Sequence, residues 1–214
     1  MKIFLDFDDC LFDTNAFYID LQGIFEANGV SKELFQRAYQ EIKNESQIDG
    51  AWCYSFEKHV RRLRNYVFFD EGDLHQKLAT YISDTKKFLF PDVEKFLIVL
   101  RESASRIYIL SFGDRDHQMG KISGTGILSY IEKSIITNKD KSEAFQDEID
   151  HEEDGVWFFD DRIKYIESVK RAFPKVKTIL VRRVEGRYHD EPNEFCDYVV
   201  SDLDEALAII KNLA

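Results

Sequence analysis

Positive charge is in short supply in this chain. Its 214 residues hold 29 lysines and arginines against 40 aspartates and glutamates, a net charge of −11. That balance disfavours nonspecific binding to nucleic acid or to an anionic membrane surface, so neither is expected as a partner. Any anionic ligand must be met by local positive features such as a metal, a lysine or helix N-termini. Long apolar runs are missing too, and nothing approaches the ~18 residues of a membrane span. No charged segment followed by a sustained apolar stretch marks a leader, because Asp6 interrupts the first apolar run. Cysteine is sparse: Cys10, Cys53 and Cys196 are odd in number, scattered, and without metal-ligand spacing. They fit a reducing compartment, and a cytoplasmic setting is expected. Internal repeats and low-complexity stretches are absent as well.

What is present is the raw material of a folded core: 44% hydrophobic residues, with 18 phenylalanines. The length suits one large domain or a domain carrying an insert. From about Phe90 onward, short apolar runs alternate with amphipathic segments. Residues 2–7, 106–110, 134–137, 156–160, 177–181 and, more weakly, 198–200 read as buried parallel strands, nearly continuous in Ile, Val, Leu and Phe. Pro91 suits the first turn of a helix whose apolar face is Val93, Phe96, Leu97 and Leu100. A second helix carries Ile163, Ile166, Val169 and Phe173 and stops at Pro174, and a last one carries Leu203, Ala206, Leu207 and Ile210. The fold class is therefore α/β, a Rossmann-like three-layer domain with a mostly parallel sheet. Residues 15–87 differ. Phe17, Leu21 and Phe25, then Leu34, Ala38 and Ile42, then Val60 and Leu63, then Leu74, Leu78 and Tyr81 keep helical spacing. We expect residues 1–14 and 88–214 to form the core domain and 15–87 an all-helical cap inserted after the first strand.

Ligands of open α/β sheets gather at the carboxyl ends of the strands. The first strand delivers Asp6 and Asp8, which project the same way because strand side chains alternate. The second delivers Ser111, followed by Phe112 and Gly113. Lys139 and Lys141 come shortly after the third, and Asp160 and Asp161 end the fourth. Carboxylates, a hydroxyl and an ammonium on one edge suit phosphoryl chemistry. Asp6 could attack phosphorus and form an aspartyl-phosphate. Asp8 could protonate the leaving alcohol and then activate water. Carboxylates can face a phosphate dianion only with a divalent cation between them. Oxygen ligands from Asp6, Asp161 and the Asp8 backbone carbonyl would suit Mg²⁺. Ser111 and a lysine would hold phosphoryl oxygens, and Gly113 leaves room for backbone N–H groups near the anion.

The order Asp-x-Asp, strand-end Ser, Lys, Asp-Asp resembles the four motifs of the haloacid dehalogenase-like superfamily, mostly phosphatases. The helical insert resembles that superfamily's small C1 cap. The resemblance implies Asp6 as nucleophile and Asp8 as general acid/base. It implies Ser111, with Phe112, Gly113 and Lys141, as the phosphate-binding group. Asp161 is then the leading Mg²⁺ ligand, and Asp160 either a second ligand or the holder of a metal-bound water. The expected activity is Mg²⁺-dependent hydrolysis of a small phosphorylated metabolite by a monomer or weak homodimer. A phosphomutase would use the same residues, and a phosphate-binding or signalling module on this fold is a further alternative. A true dehalogenase is disfavoured because its chemistry needs neither Asp8 nor the metal cluster.

Other polar residues receive plainer readings. The family commonly has Gly where this chain has Asp9, which is read as a solvated turn carboxylate. Cys10, with no evident histidine partner, is read as a packing residue rather than a nucleophile. Lys141 is preferred to Lys139 because it opens a helical stretch. His59, Arg61, Arg62 and Arg64 read as a solvated basic face. Arg182, Arg183 and Arg187 read as surface charges or ion-pair partners, His117 as a surface residue, and Trp52 and Tyr54 as core of the helical segment.

Overall fold

The computed structural model describes residues 1–48 and 54–213, so Trp52 and Cys53 lie outside the described residues. The chain runs β1 (Lys2–Leu5), α1 (Thr14–Glu26), α2 (Lys32–Ile48), α3 (Phe56–Leu63), α4 (Glu71–Ser83), α5 (Val93–Glu102), β2 (Arg106–Phe112) and α6 (Arg115–Gly124). It continues with β3 (Lys133–Thr137), α7 (Lys141–Gln146), β4 (Val156–Asp160), α8 (Ile163–Ala172), β5 (Lys177–Val181), β6 (Tyr198–Val200) and α9 (Leu203–Leu213). The six strands form one sheet in the order β3-β2-β1-β4-β5-β6, and every neighbouring pair is parallel. The expected α/β architecture is the one observed.

Alternation along β1 explains the layers. Ile3 and Leu5 face one side of the sheet, packed with α5, α9 and the helical segment. Phe4 faces the other, stacked on Tyr108 at 4.6 Å and against Phe145 of α7 at 4.3 Å. Helices on both faces bury both sides of each central strand, which is why those strands are apolar throughout. The helical segment shares the first core without a break: Phe12 meets Phe17 of α1 and Phe88, at 5.4 and 5.7 Å. The strands that lead into and out of this segment lie side by side. Phe90 N–H donates to Leu11 O (3.0 Å) and Asp13 N–H to Phe88 O (2.8 Å). The Asp13 carboxylate also caps α1 through Ala16 N–H.

Boundaries shift slightly from the sequence reading. β1 ends at Leu5, although Asp6 N–H still donates to Phe159 O (2.9 Å). The chain then closes a tight turn in which Leu11 and Phe12 both donate to Phe7 O, at 3.0 and 3.1 Å. β2 runs on to Phe112 and so carries Ser111 within the strand. α5 begins at Val93, leaving Pro91 outside it.

α6 packs closely on the end of α4. A Cβ on Gly124 would lie 2.3 Å from the Ile82 carbonyl oxygen, and one on Gly120 would lie 2.7 Å from Ile82 Cδ1. Thr85 fastens the same point, its hydroxyl donating to Lys121 O at 2.7 Å.

Two histidines correct the sequence reading. His59 is fully buried rather than on a solvated basic face: Nδ1 meets the Tyr54 hydroxyl at 2.9 Å and Nε2 meets Phe35 O at 3.0 Å. Helical spacing puts it on the side of Leu63, away from exposed Arg61 and Arg64. Arg62 instead pairs with Glu41 and Glu45, and Arg64 pairs with Glu71. His117 is partly buried, with ring centroids of Phe56, Tyr54 and Phe17 at 4.8, 5.2 and 6.3 Å. Burial pushes His59 down to about 4 and, helped by Lys121, His117 down to about 3. Because the folded values lie below the unfolded one, the unfolded chain binds more protons between them. Stability from His59 is therefore complete above pH 6.5 and lost as pH falls toward 4, in total about 3 kcal/mol. Urea titrations from pH 7 to 4 should show His59→Gln with a shallower loss of stability than the wild type. Parallel curves would refute this role.

Candidate active site

β1 and β4 are neighbours, and the chain departs from them in opposite directions along the sheet, toward β2 and β3 and toward β5 and β6. This switch point leaves a crevice beyond their carboxyl ends. Asp6, Asp160 and Asp161 stand there, all buried, with Ser111 from β2 beside them. Lys141, in the first turn of α7, is buried as well. Its ammonium lies 2.7 Å from Asp6 Oδ1 and 2.6 Å from Asp160 Oδ2. Burial alone would depress this lysine, but Asp160 and Asp6 outweigh burial and hold it charged. Lys139 is exposed, 3.7 Å from Glu143. The second Asp160 oxygen accepts from Arg162 N–H at 2.9 Å, so this carboxylate holds Lys141 and the start of α8.

Asp161 is different. Ligand atoms of Asp6, Asp161 and Cys10 lie within 4.8 Å of one another. Burial, with Asp6 and Asp160 adding repulsion, pushes the Asp161 carboxyl well above its ordinary range. Burial and the same carboxylates push the Cys10 thiol up, leaving it the protonated packing residue expected. Asp6 shares Lys141 with Asp160, while Asp161 has no ion pair among the described residues. Two such converging carboxylates match what Mg²⁺ takes from a protein, one or two hard oxygens with water and substrate filling the rest. The residues therefore fit that ion.

Ser111 supplies the complementary signal. Its hydroxyl is buried, borders the cavity, and has no hydrogen-bond partner among the described residues. Gly113's own N–H donates to Thr137 O at 2.9 Å. It serves the backbone, with φ at +148° and a Cβ position 3.1 Å from Gln118 Nε2. Phe112 borders the cavity, and its carbonyl accepts from the same Gln118 amide at 3.1 Å.

The Asp8 side chain points at α6. It accepts from Lys121, from Gln118 Nε2 at 2.7 Å and from Thr14 Oγ1 at 2.9 Å. Burial pushes this carboxyl up, but Lys121 and Arg187, with the hydrogen bonds from Lys121 and Gln118, hold it well below the usual range. Sequence reasoning missed Lys121 and Gln118, whose one signal is their i, i+3 spacing on the helix that leaves Ser111.

Asp9 also departs from expectation. It is 1% exposed rather than solvated, and Arg187 Nε donates to its Oδ2 at 2.6 Å. Its φ of 59° explains the residue type, because Asp, like Asn and Gly, tolerates left-handed backbone. Burial pushes its carboxyl up to about 6 despite Arg187. Arg183 holds the same turn: its guanidinium donates to Cys10 O at 3.0 and 3.1 Å and pairs in two bonds with Asp92. Arg183 and Arg187 are thus ion-pair partners, one of the two roles expected for them.

Above these groups lies a cavity of about 290 Å³. Its floor is Asp6, Ser111, Lys141 and Asp161, and Tyr39 and Lys43 of α2 and Arg187 and Tyr188 of the β5–β6 loop line it as well. Among the described residues no helix is long and apolar enough to cross a membrane.

No family model and no curated protein matches the sequence. Solved structures do match in fold. A putative haloacid dehalogenase-like hydrolase from Burkholderia xenovorans LB400 is 16% identical, with a TM-score of 0.73 over 99% of this chain and 96% of that one. The magnesium-bound putative hydrolase YfnB from Bacillus subtilis is 16% identical, with a TM-score of 0.68 over 98% and 97%. The L-2-haloacid dehalogenase of Xanthobacter autotrophicus, with chloropropionic acid covalently bound, is 15% identical, with a TM-score of 0.67 over 100% and 99%. Along essentially its whole length, the chain has the fold of the haloacid dehalogenase-like hydrolases.

Proposed function

We propose that the chain is a Mg²⁺-dependent phosphatase that hydrolyses a small phosphorylated metabolite through an aspartyl-phosphate on Asp6. The observation that carries this reading is the Ser111 hydroxyl, buried beside Asp6 and Lys141 without a hydrogen-bond partner among the described residues. Buried polar groups almost always have partners, so an orphan on a cavity wall is open to a water or to a ligand oxygen. Asp6 and Asp161 would hold the cation, whose positive charge would offset their repulsion for an incoming phosphate. Lys141 would neutralise phosphoryl oxygens as charge moves onto them. Asp8 is ionised, the form a general base needs, and would have to exchange a bond from Lys121, Gln118 or Thr14 for one from the hydrolytic water. In this reading the helical segment acts as a cap: Tyr39 and Lys43 roof the cavity and favour small substrates over protein phosphoesters.

One observation favours a second reading, carbon–halogen hydrolysis. Asp8 is tied to Lys121 in its ionised form, and a halide leaves without needing an acid. Against it stands Asp161, a second buried carboxylate that displacement of halide does not use. An aryl phosphate and 2-chloropropionate separate the two readings, and the aryl leaving group needs little protonation. We expect phosphate release that requires Mg²⁺ and stops with chelator, and no halide release. Halide release without phosphate release would replace the first reading with the second.

A further inference from the structure

Five cationic side chains border the cavity, and three are already neutralised. Lys141 lies between Asp6 and Asp160, Arg187 on Asp9, and Arg162 3.2 Å from Asp190 with its guanidinium 3.7 Å from the Tyr188 ring centre. The other two are Lys43 of α2 and Lys164 in the first turn of α8, both exposed. Asp160 and Asp140 act on Lys164 electrostatically, against its partial burial. Lys164 also reaches over aromatic carbon, its ammonium 4.4 Å from the Tyr165 ring centre and 5.9 Å from that of Phe112, the neighbour of Ser111. One lysine comes from the helical segment and the other from the sheet edge, so they belong to different walls of one cavity.

In a chain of net charge −11, two exposed ammonium groups in no direct ion pair among the described residues, with Asp140 and Asp160 at longer range from Lys164, are a local excess of positive charge on a cavity wall. The buried end of the cavity has Ser111 and Lys141, with the cation that Asp6 and Asp161 would hold, for a phosphoryl group. Lys43 and Lys164 are therefore available to something else. We propose that they form a second anion subsite, and that the substrate carries, besides its scissile phosphate, a further anionic group, carboxylate or phosphate, at the opposite end. This inference rests on the phosphatase reading for the scissile group. The subsite itself is set by the two lysines.

Binding tests it separately from turnover. Asp6→Asn protein with Mg²⁺ is titrated calorimetrically, at low ionic strength, with ethyl phosphate, 2-phosphoglycolate and 1,3-propanediol bisphosphate. At least one charged-tail ligand should bind at least ~10-fold more tightly than ethyl phosphate, and which one does so separates carboxylate from phosphate. In Lys43→Ala/Lys164→Ala protein that advantage should fall to about threefold or less, and Lys43→Arg/Lys164→Arg should restore it. Equal affinity for all three ligands, or an advantage that survives removal of both lysines, overturns the proposal. Failure of wild-type protein to hydrolyse an aryl phosphate is a different result. It removes the phosphatase reading and leaves the measured tail preference standing.

Discussion

Asp6→Asn should lower kcat for an aryl phosphate at least ~10³-fold, about 4 kcal/mol of barrier, while the protein stays folded. The amide nearly matches the carboxylate in shape, so the backbone bond from Asp6 N–H to Phe159 O and the packing around it are undisturbed. What is lost is the nucleophile. Water would have to attack phosphorus directly, without the positioning that a fixed carboxylate provides. The same substitution removes one of the charges that push Asp161 up. It also takes one of two carboxylates from Lys141, which keeps Asp160, so a folded mutant close to the wild type in Tm, yet nearly inactive, is the expected pair of results. Asp6→Asn activity within tenfold of wild type would mean that Asp6 is not the attacking group.

Lys141→Met should be the more damaging change to the fold. The lysine is 1% exposed and bonded to Asp6 and Asp160, so its loss leaves buried carboxylates without their cation. Breaking a buried pair by removing one partner costs about 3–5 kcal/mol, which corresponds to roughly 10 °C in Tm for a chain of this size. Asp160 and Asp161 would limit the loss by taking up protons, since burial already pushes both above their ordinary range. With their folded values above the unfolded one, the native state binds more protons, and stability falls as pH rises through that interval. The deficit of Lys141→Met should thus be larger at pH 8 than at pH 5. Adding Asp160→Asn should recover part of it. Melting curves at the two pH values, without Mg²⁺, provide the check, and a deficit independent of pH would show that the lysine acts through packing alone.

The strand ends were legible because both faces of the central strands are covered. That makes runs such as Ile107–Leu110 and Val156–Phe159 continuously apolar, and the first polar residue after each run marks the active edge. Asp6, Ser111 and Asp160-Asp161 could be read in this way, and Lys141 from its place at the start of a helical stretch. Asp9 could not, because its burial depends on Arg187, 178 positions later in the chain. Lys121 was hidden for a related reason. It is a charged residue on a weakly amphipathic helix, and its burial is matched by Asp8, 113 positions earlier, which accepts a hydrogen bond from its ammonium. His59 was misread although its signal was present: Arg61, Arg62 and Arg64 make the stretch look basic, yet the i, i+4 relation to Leu63 places it with the core. Composition over a short window conceals what helical period reveals.

α6 has a consequence for which changes in length the chain can bear. Its ten residues serve three neighbours: Gln118 and Lys121 hold Asp8, His117 enters the aromatic group of α1 and α3, and Gly120 and Gly124 admit Ile82. Each added residue turns a helix by about 100° and advances it by about 1.5 Å. One insertion near Asp116 would therefore rotate all three sets out of place together, with no compensating side-chain change. An insertion between α3 and α4 near exposed Phe68 would disturb far less. Point substitutions can accumulate along α6, but its length is held constant by three neighbours at once.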